Sequence, residues 1–215
     1  MLNFNKTRKQ NGDTLIEVLF AMTVFSFIVV TALSLMNQGV AAAQRSLEIT
    51  LVRQQMDGQA ETLRFLHDSY VAGYQSGQTF NLADGVSTPA EEYYKIIQYA
   101  RTGNRTFASK FGSATCSIPA DPSKDFVLNP VTAQLITTAN KPDVFKTAPT
   151  FAQLTYTAGN QLDFSQGIWL EAVRSPVSGT TAGYIDFHIR TCWDIPGLDV
   201  PMNLGTIVRL YEPRT

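Results

Sequence analysis

Catalysis needs reactive side chains within reach of one another, and this chain of 215 residues offers few. Its two histidines are His67, near the end of a helical stretch, and His188, on the polar side of an alternating strand. At both places a solvated or hydrogen-bonded role fits better than acid–base work. No pattern for a nucleophile elbow, a zinc-hydrolase helix, a phosphate loop or a dinucleotide fingerprint occurs. Asp121, Asp125 and Asp143 are spaced too irregularly for a calcium loop and read as turn residues. We therefore expect no enzyme, no metal site and no cofactor. Arg101, Arg105 and Lys110 surround Phe107 in a Gly- and Asn-containing stretch, a small basic patch of the kind that meets single-stranded nucleic acid. A solvated loop is the plainer reading, and a formal net charge of −1 gives no global reason to bind nucleic acid.

The most informative titratable group is Glu17, because no other charge follows it until Arg45. Residues 18–36 form an apolar run that spans about 28 Å at helical rise, close to the ~30 Å hydrocarbon thickness of a bilayer. A carboxylate near a bilayer centre costs on the order of 2.5–3.5 kcal/mol, and less at the interface, so its presence asks for a reason. Locally, Thr14 and Glu17 stand at capping-box spacing. Lys6, Arg8 and Lys9 precede the run and should stay cytoplasmic, which sends everything after Met36 outward. Cys116 and Cys192 would then lie in an oxidising compartment that permits a disulfide. Two buried thiols are the alternative; no C-x-x-C pair occurs to suggest metal or redox chemistry.

Gly12-Asp13-Thr14-Leu15-Ile16-Glu17 followed by an apolar helix resembles the N-terminal processing motif of type IV pilins and pseudopilins. The resemblance is carried by residues 1 to about 40. It implies a basic leader over residues 1–12, a cut between Gly12 and Asp13 by a prepilin peptidase, and methylation of the new N-terminus at Asp13. It implies that Glu17 guides subunit docking by pairing with the terminal amine of a neighbouring subunit, which would offset its burial. The partners implied are the peptidase, other pilin subunits and the membrane. The place implied is the cytoplasmic membrane, crossed once with the head outside, and an extracellular pilus after assembly. One departure is informative. Major subunits usually carry Phe after the scissile bond, whereas Asp13 adds a second acid against a single amine, so burying both costs more. That points to a minor pilin. A type II secretion or competence pseudopilin shares the motif and is the first alternative.

The remaining chain supplies the elements behind this N-terminus. Val40, Leu47, Leu51, Leu63, Leu66 and Tyr70 form a helical stripe, loosened by Gln54, Gln55 and Gly58, so we expect one long pilin helix over residues 13–70, membrane-spanning over 18–36 and amphipathic beyond. Gly73 and Gly77 supply its stop. Residues 71–215 are expected to form a globular head. Within it, Thr88 caps a short helix that starts at Pro89 and runs to Tyr99, with Glu91 and Glu92 in its first turn. Residues 101–149 read as turn-rich with one strand at 125–128, and further strand patterns fall at 152–157, 168–174, 185–193 and 206–211. The fold class is therefore α+β, a long N-terminal helix packed on an antiparallel sheet. A different reading takes Ala41-Ala42-Ala43 as a signal-peptidase site, releasing a soluble secreted protein cut after Ala43; the apolar run is longer than the usual ~7–15 residues of a signal core.

Overall fold

A computed structural model describes residues 13–80, 87–102, 116, 119, 124–176, 183–195 and 200–213, with the side chains of residues 13, 101 and 102 excepted. Its first element, α1, is a continuous helix over Asp13–Gln75. The chain divides into two compact units, Met1–Glu48 and Ile49–Thr215.

The described part of the first unit is helix alone. Thr14 is already helical, so the hydroxyl expected as a cap lies in the first turn instead. No proline or glycine interrupts the run before Gly39, and the apolar side chains leave the helix only its own backbone to satisfy.

In the second unit α1 turns one face to a core. Val52, Met56, Ala60, Leu63, Leu66 and Tyr70 are buried, and Gln59 and Thr62 are buried with them. Of the expected stripe, Leu63, Leu66 and Tyr70 are buried and Leu51 is half-buried, whereas Val40 and Leu47 are exposed; Gln54 and Gln55 lie off the buried face rather than interrupting it. The helix also runs beyond residue 70. Gly73 stays helical with Phe80 packed where a Cβ would sit. The stop is Gly77, at φ +76°, where Gln78 N–H bonds to Gly73 O and Gly77 N–H to Tyr74 O, the paired bonds of a Schellman end.

Helix α2 spans Pro89–Tyr99 and begins as expected, with Thr88 and Glu91 forming a reciprocal capping box and proline in the first turn. The strands are β1 (Arg101–Thr102), β2 (Phe126–Asn129), β3 (Gln134–Thr137), β4 (Phe145–Lys146), β5 (Gln153–Tyr156), β6 (Leu162–Gln166), β7 (Ile168–Ser175), β8 (Tyr184–Trp193) and β9 (Met202–Tyr211). The main sheet runs β3-β2-β7-β8-β9, antiparallel throughout, with β1 added in parallel against β7. β4, β6 and β5 form a separate small sheet. All five expected strands are thus present, the one at 125–128 as β2, but β5 belongs to the small sheet, and the region taken as turn-rich also contributes β1, β3 and β4. Gly167 makes the crossing from small to main sheet: at φ +68° a Cβ there would sit 2.2 Å from Cys192 O.

The core lies between the main sheet and the two helices. Phe126, Leu170, Ala172, Ile185, Phe187 and Ile189 are fully or almost fully buried together with Leu63, Leu66, Tyr93 and Ile96. His188 is buried completely rather than solvated, with Glu171 on β7 and Ile207 on β9 flanking it in register.

Candidate functional site

The exposed apolar helix is the feature that needs a function. Every described side chain over residues 14–40 is exposed. Among its large apolar residues the values run from 39% at Val29 to 77% at Phe27. A Leu, Ile or Phe left in water forgoes roughly 1.5–3 kcal/mol of burial each, so this surface is built for an apolar surrounding. Three of its hydroxyls bond to their own helix. Thr23 donates to Phe20 O at 2.7 Å, Ser26 to Met22 O at 2.8 Å, and Thr31 to the carbonyls of Phe27 and Ile28. Hydrogen bonds of this kind let Ser and Thr sit in hydrocarbon at little cost. The helix is long and apolar enough to cross a membrane by length and composition. Glu17 is the charged group at its start and is exposed. Gly12 lies outside the described residues, and so does the side chain of Asp13.

The head is stapled by a disulfide between Cys116 and Cys192, 76 residues apart in sequence. Beside it a gap of about 10 Å³ lined by Phe145, Ser165 and Trp169 has room for about one water. Among the described residues no three His, Cys, Asp or Glu side chains come together. Arg101 contributes its backbone to β1, while its side chain, Arg105 and Lys110 lie outside the described residues.

Two buried polar side chains carry much of the head's order, and both escape a pattern search. Gln59 is fully buried on α1, donates to Leu128 O at 2.8 Å and accepts from Leu128 N–H at 2.9 Å. β2 meets β7 only at Phe126 and Leu170, so Gln59 takes the place of a strand beside Leu128. Glu92, only 5% exposed, accepts from Leu135 N–H at 2.8 Å and pairs with Lys95 at 2.9 Å. The signal for Gln59 is its position, one polar residue between Met56, Ala60 and Leu63 on the apolar stripe.

No family model, no curated protein and no solved structure matches this chain.

Beyond the helix, titration follows packing. His67 reaches from α1 to Tyr211 O, with its Nε2 2.9 Å away, and meets Tyr93 edge to face. Tyr70, Phe80, Tyr93 and Tyr94 form an aromatic cluster between the helices. Burial, and then the nearby charge of Glu212, push the phenols of Tyr93 and Tyr70 above their usual range. Arg174 pairs with Glu212 across the same corner. These contacts hold elements together.

Proposed function

We propose that this protein is a structural subunit of a type IV pilus-like filament, a minor pilin processed after Gly12 and assembled through its apolar helix. The observation that carries the reading is the helix surface over residues 14–40, apolar and exposed on every side. Before assembly the bilayer covers it. In a filament, the same helices of neighbouring subunits cover it instead, and a carboxylate at Glu17 becomes tolerable once it meets an opposite charge. The disulfide-stapled head suits exposure to an oxidising exterior. Continuity of α1 through Ala43 supports retention of the helix over release by a signal peptidase. The partners on this reading are a prepilin peptidase, the membrane and other pilin subunits, with the N-terminus cytoplasmic and the head outside. A secretion or competence pseudopilin would share all of this except release with sheared pili.

Replacing Gly12 tests it. Gly12→Leu should leave the leader attached, keep the chain in the membrane fraction and remove it from sheared extracellular material. Wild-type amounts of Gly12→Leu in sheared material would overturn the reading.

A further inference from the structure

The five-strand path of the main sheet ends in β3 and β9, and the chain treats these two edges differently. Along β3, Leu135 N–H donates to Glu92 at 2.8 Å and Leu135 O accepts from Asn140 at 2.9 Å. Thr137 N–H donates to Asn140 at 2.7 Å, and Thr137 O accepts from Lys141 N–H at 2.8 Å. That edge is closed by its own neighbours. β9 is longer, with ten residues. Glu212 N–H bonds to Gly183 O, which fixes the alternation: the even-numbered residues of β9 face β8, and Asn203, Gly205, Ile207, Arg209 and Tyr211 turn their N–H and C=O outward. Tyr211 O is taken by His67. Among the described residues, the backbone groups of the other four meet no hydrogen-bond partner.

Natural sheets blunt such edges with lysine, proline, bulges or a covering element. β9 has no proline, no register shift against β8 and one charge, Arg209, which is spent on Asp186 at 2.7 and 2.9 Å and stacked on Tyr184. Ile207, 57% exposed, stands mid-strand, and Gly205 beside it has no side chain of its own, the Arg190 side chain lying where its Cβ would be. The chemistry that complements four outward N–H and C=O pairs is the backbone of another strand. A second copy of β9 is a poor fit. α1 runs alongside β9 in the same direction, since Met56 lies against Thr191, opposite Leu204, and His67 against Tyr211. An antiparallel β9–β9 pair would set residues 49–75 of the two α1 helices antiparallel, whereas neighbours along a filament all run the same way.

We propose that the outer edge of β9 takes up an extended strand from a different subunit of the assembly, with an apolar residue set against Ile207 and no cation beside Arg209. The choice of a different subunit rests on the filament reading; the open edge does not. Amide exchange is to be read residue by residue on the full chain, purified alone in detergent and recovered in complex from native membranes and sheared material. The amides of Asn203, Gly205, Ile207 and Arg209 should exchange at least roughly tenfold more slowly in the complex, while Leu204, Thr206 and Val208 are slow in both. Equal exchange of the outward amides in both samples overturns the proposal. Ile207→Pro removes one outward N–H without touching the β8 ladder, and Ile207→Lys places a charge on the edge. Both should reduce recovery in the complex by roughly tenfold while head stability holds, and wild-type recovery of both would also overturn it. The filament reading fails separately, if the mature chain does not begin at Asp13; slowed outward amides in such a chain would still support the edge.

Discussion

Two acids and one amide decide most at the residue scale. Asp13 and Glu17 would share a single terminal amine after cleavage, and two carboxylates against one cation cannot both be compensated in an apolar core. Asp13→Phe should therefore leave cleavage intact and raise the fraction of chain in sheared material relative to membrane; an unchanged ratio contradicts the charge reasoning. Gln59 poses the opposite case, a polar group whose partners are both present. Gln59→Leu would strand the N–H and C=O of Leu128 without partners, costing about 3 kcal/mol. Urea unfolding of the detergent-solubilised chain, followed by the fluorescence of Trp169 and Trp193 in the head, measures this directly. A loss under about 1 kcal/mol would mean that water or a strand shift replaces the amide.

At the scale of elements, the strongest local signals were legible and the relational ones were not. The capping box at Thr88 and Glu91 and the alternation over β8 can be read because each needs only its own residues. β1 and β4 are two residues long, so neither has a period to find. The end of α1 was misplaced because Gly73 serves packing against Phe80 while Gly77 serves the turn, a distinction made only by the partner. The aromatic cluster between α1 and α2 yields a pH effect with a definite sign. Unfolded tyrosine ionises near pH 10, whereas burial raises the folded pKa of Tyr93 well above that. Above pH 10 the unfolded chain therefore binds fewer protons than the folded one, and stability falls as pH rises. Tyr93→Phe, which cannot ionise, should flatten the stability profile above pH 10; an identical slope would show that Tyr93 is not the group responsible.

For the whole molecule, the sequence makes one half plain and leaves the other half dependent on contacts. The apolar run announces a helix for an apolar surrounding, whereas the head's sheet order and the places of Gln59 and Glu92 depend on residues far apart in the chain. The disulfide is a covalent link of this kind. Closing 76 residues should stabilise the head by about 4.5 kcal/mol in the chain-entropy model, so Cys116→Ala with Cys192→Ala should lower its unfolding free energy by that order. An unchanged midpoint would mean that the disulfide adds no net stability to the head.

The most direct test of the central claim is the N-terminal mass of the native chain, taken from membrane and from sheared extracellular fractions. A mature chain beginning at Asp13, present in the sheared fraction, is what a processed filament subunit requires. A chain beginning at Gln44 would mean a secreted soluble head, and it would contradict the account.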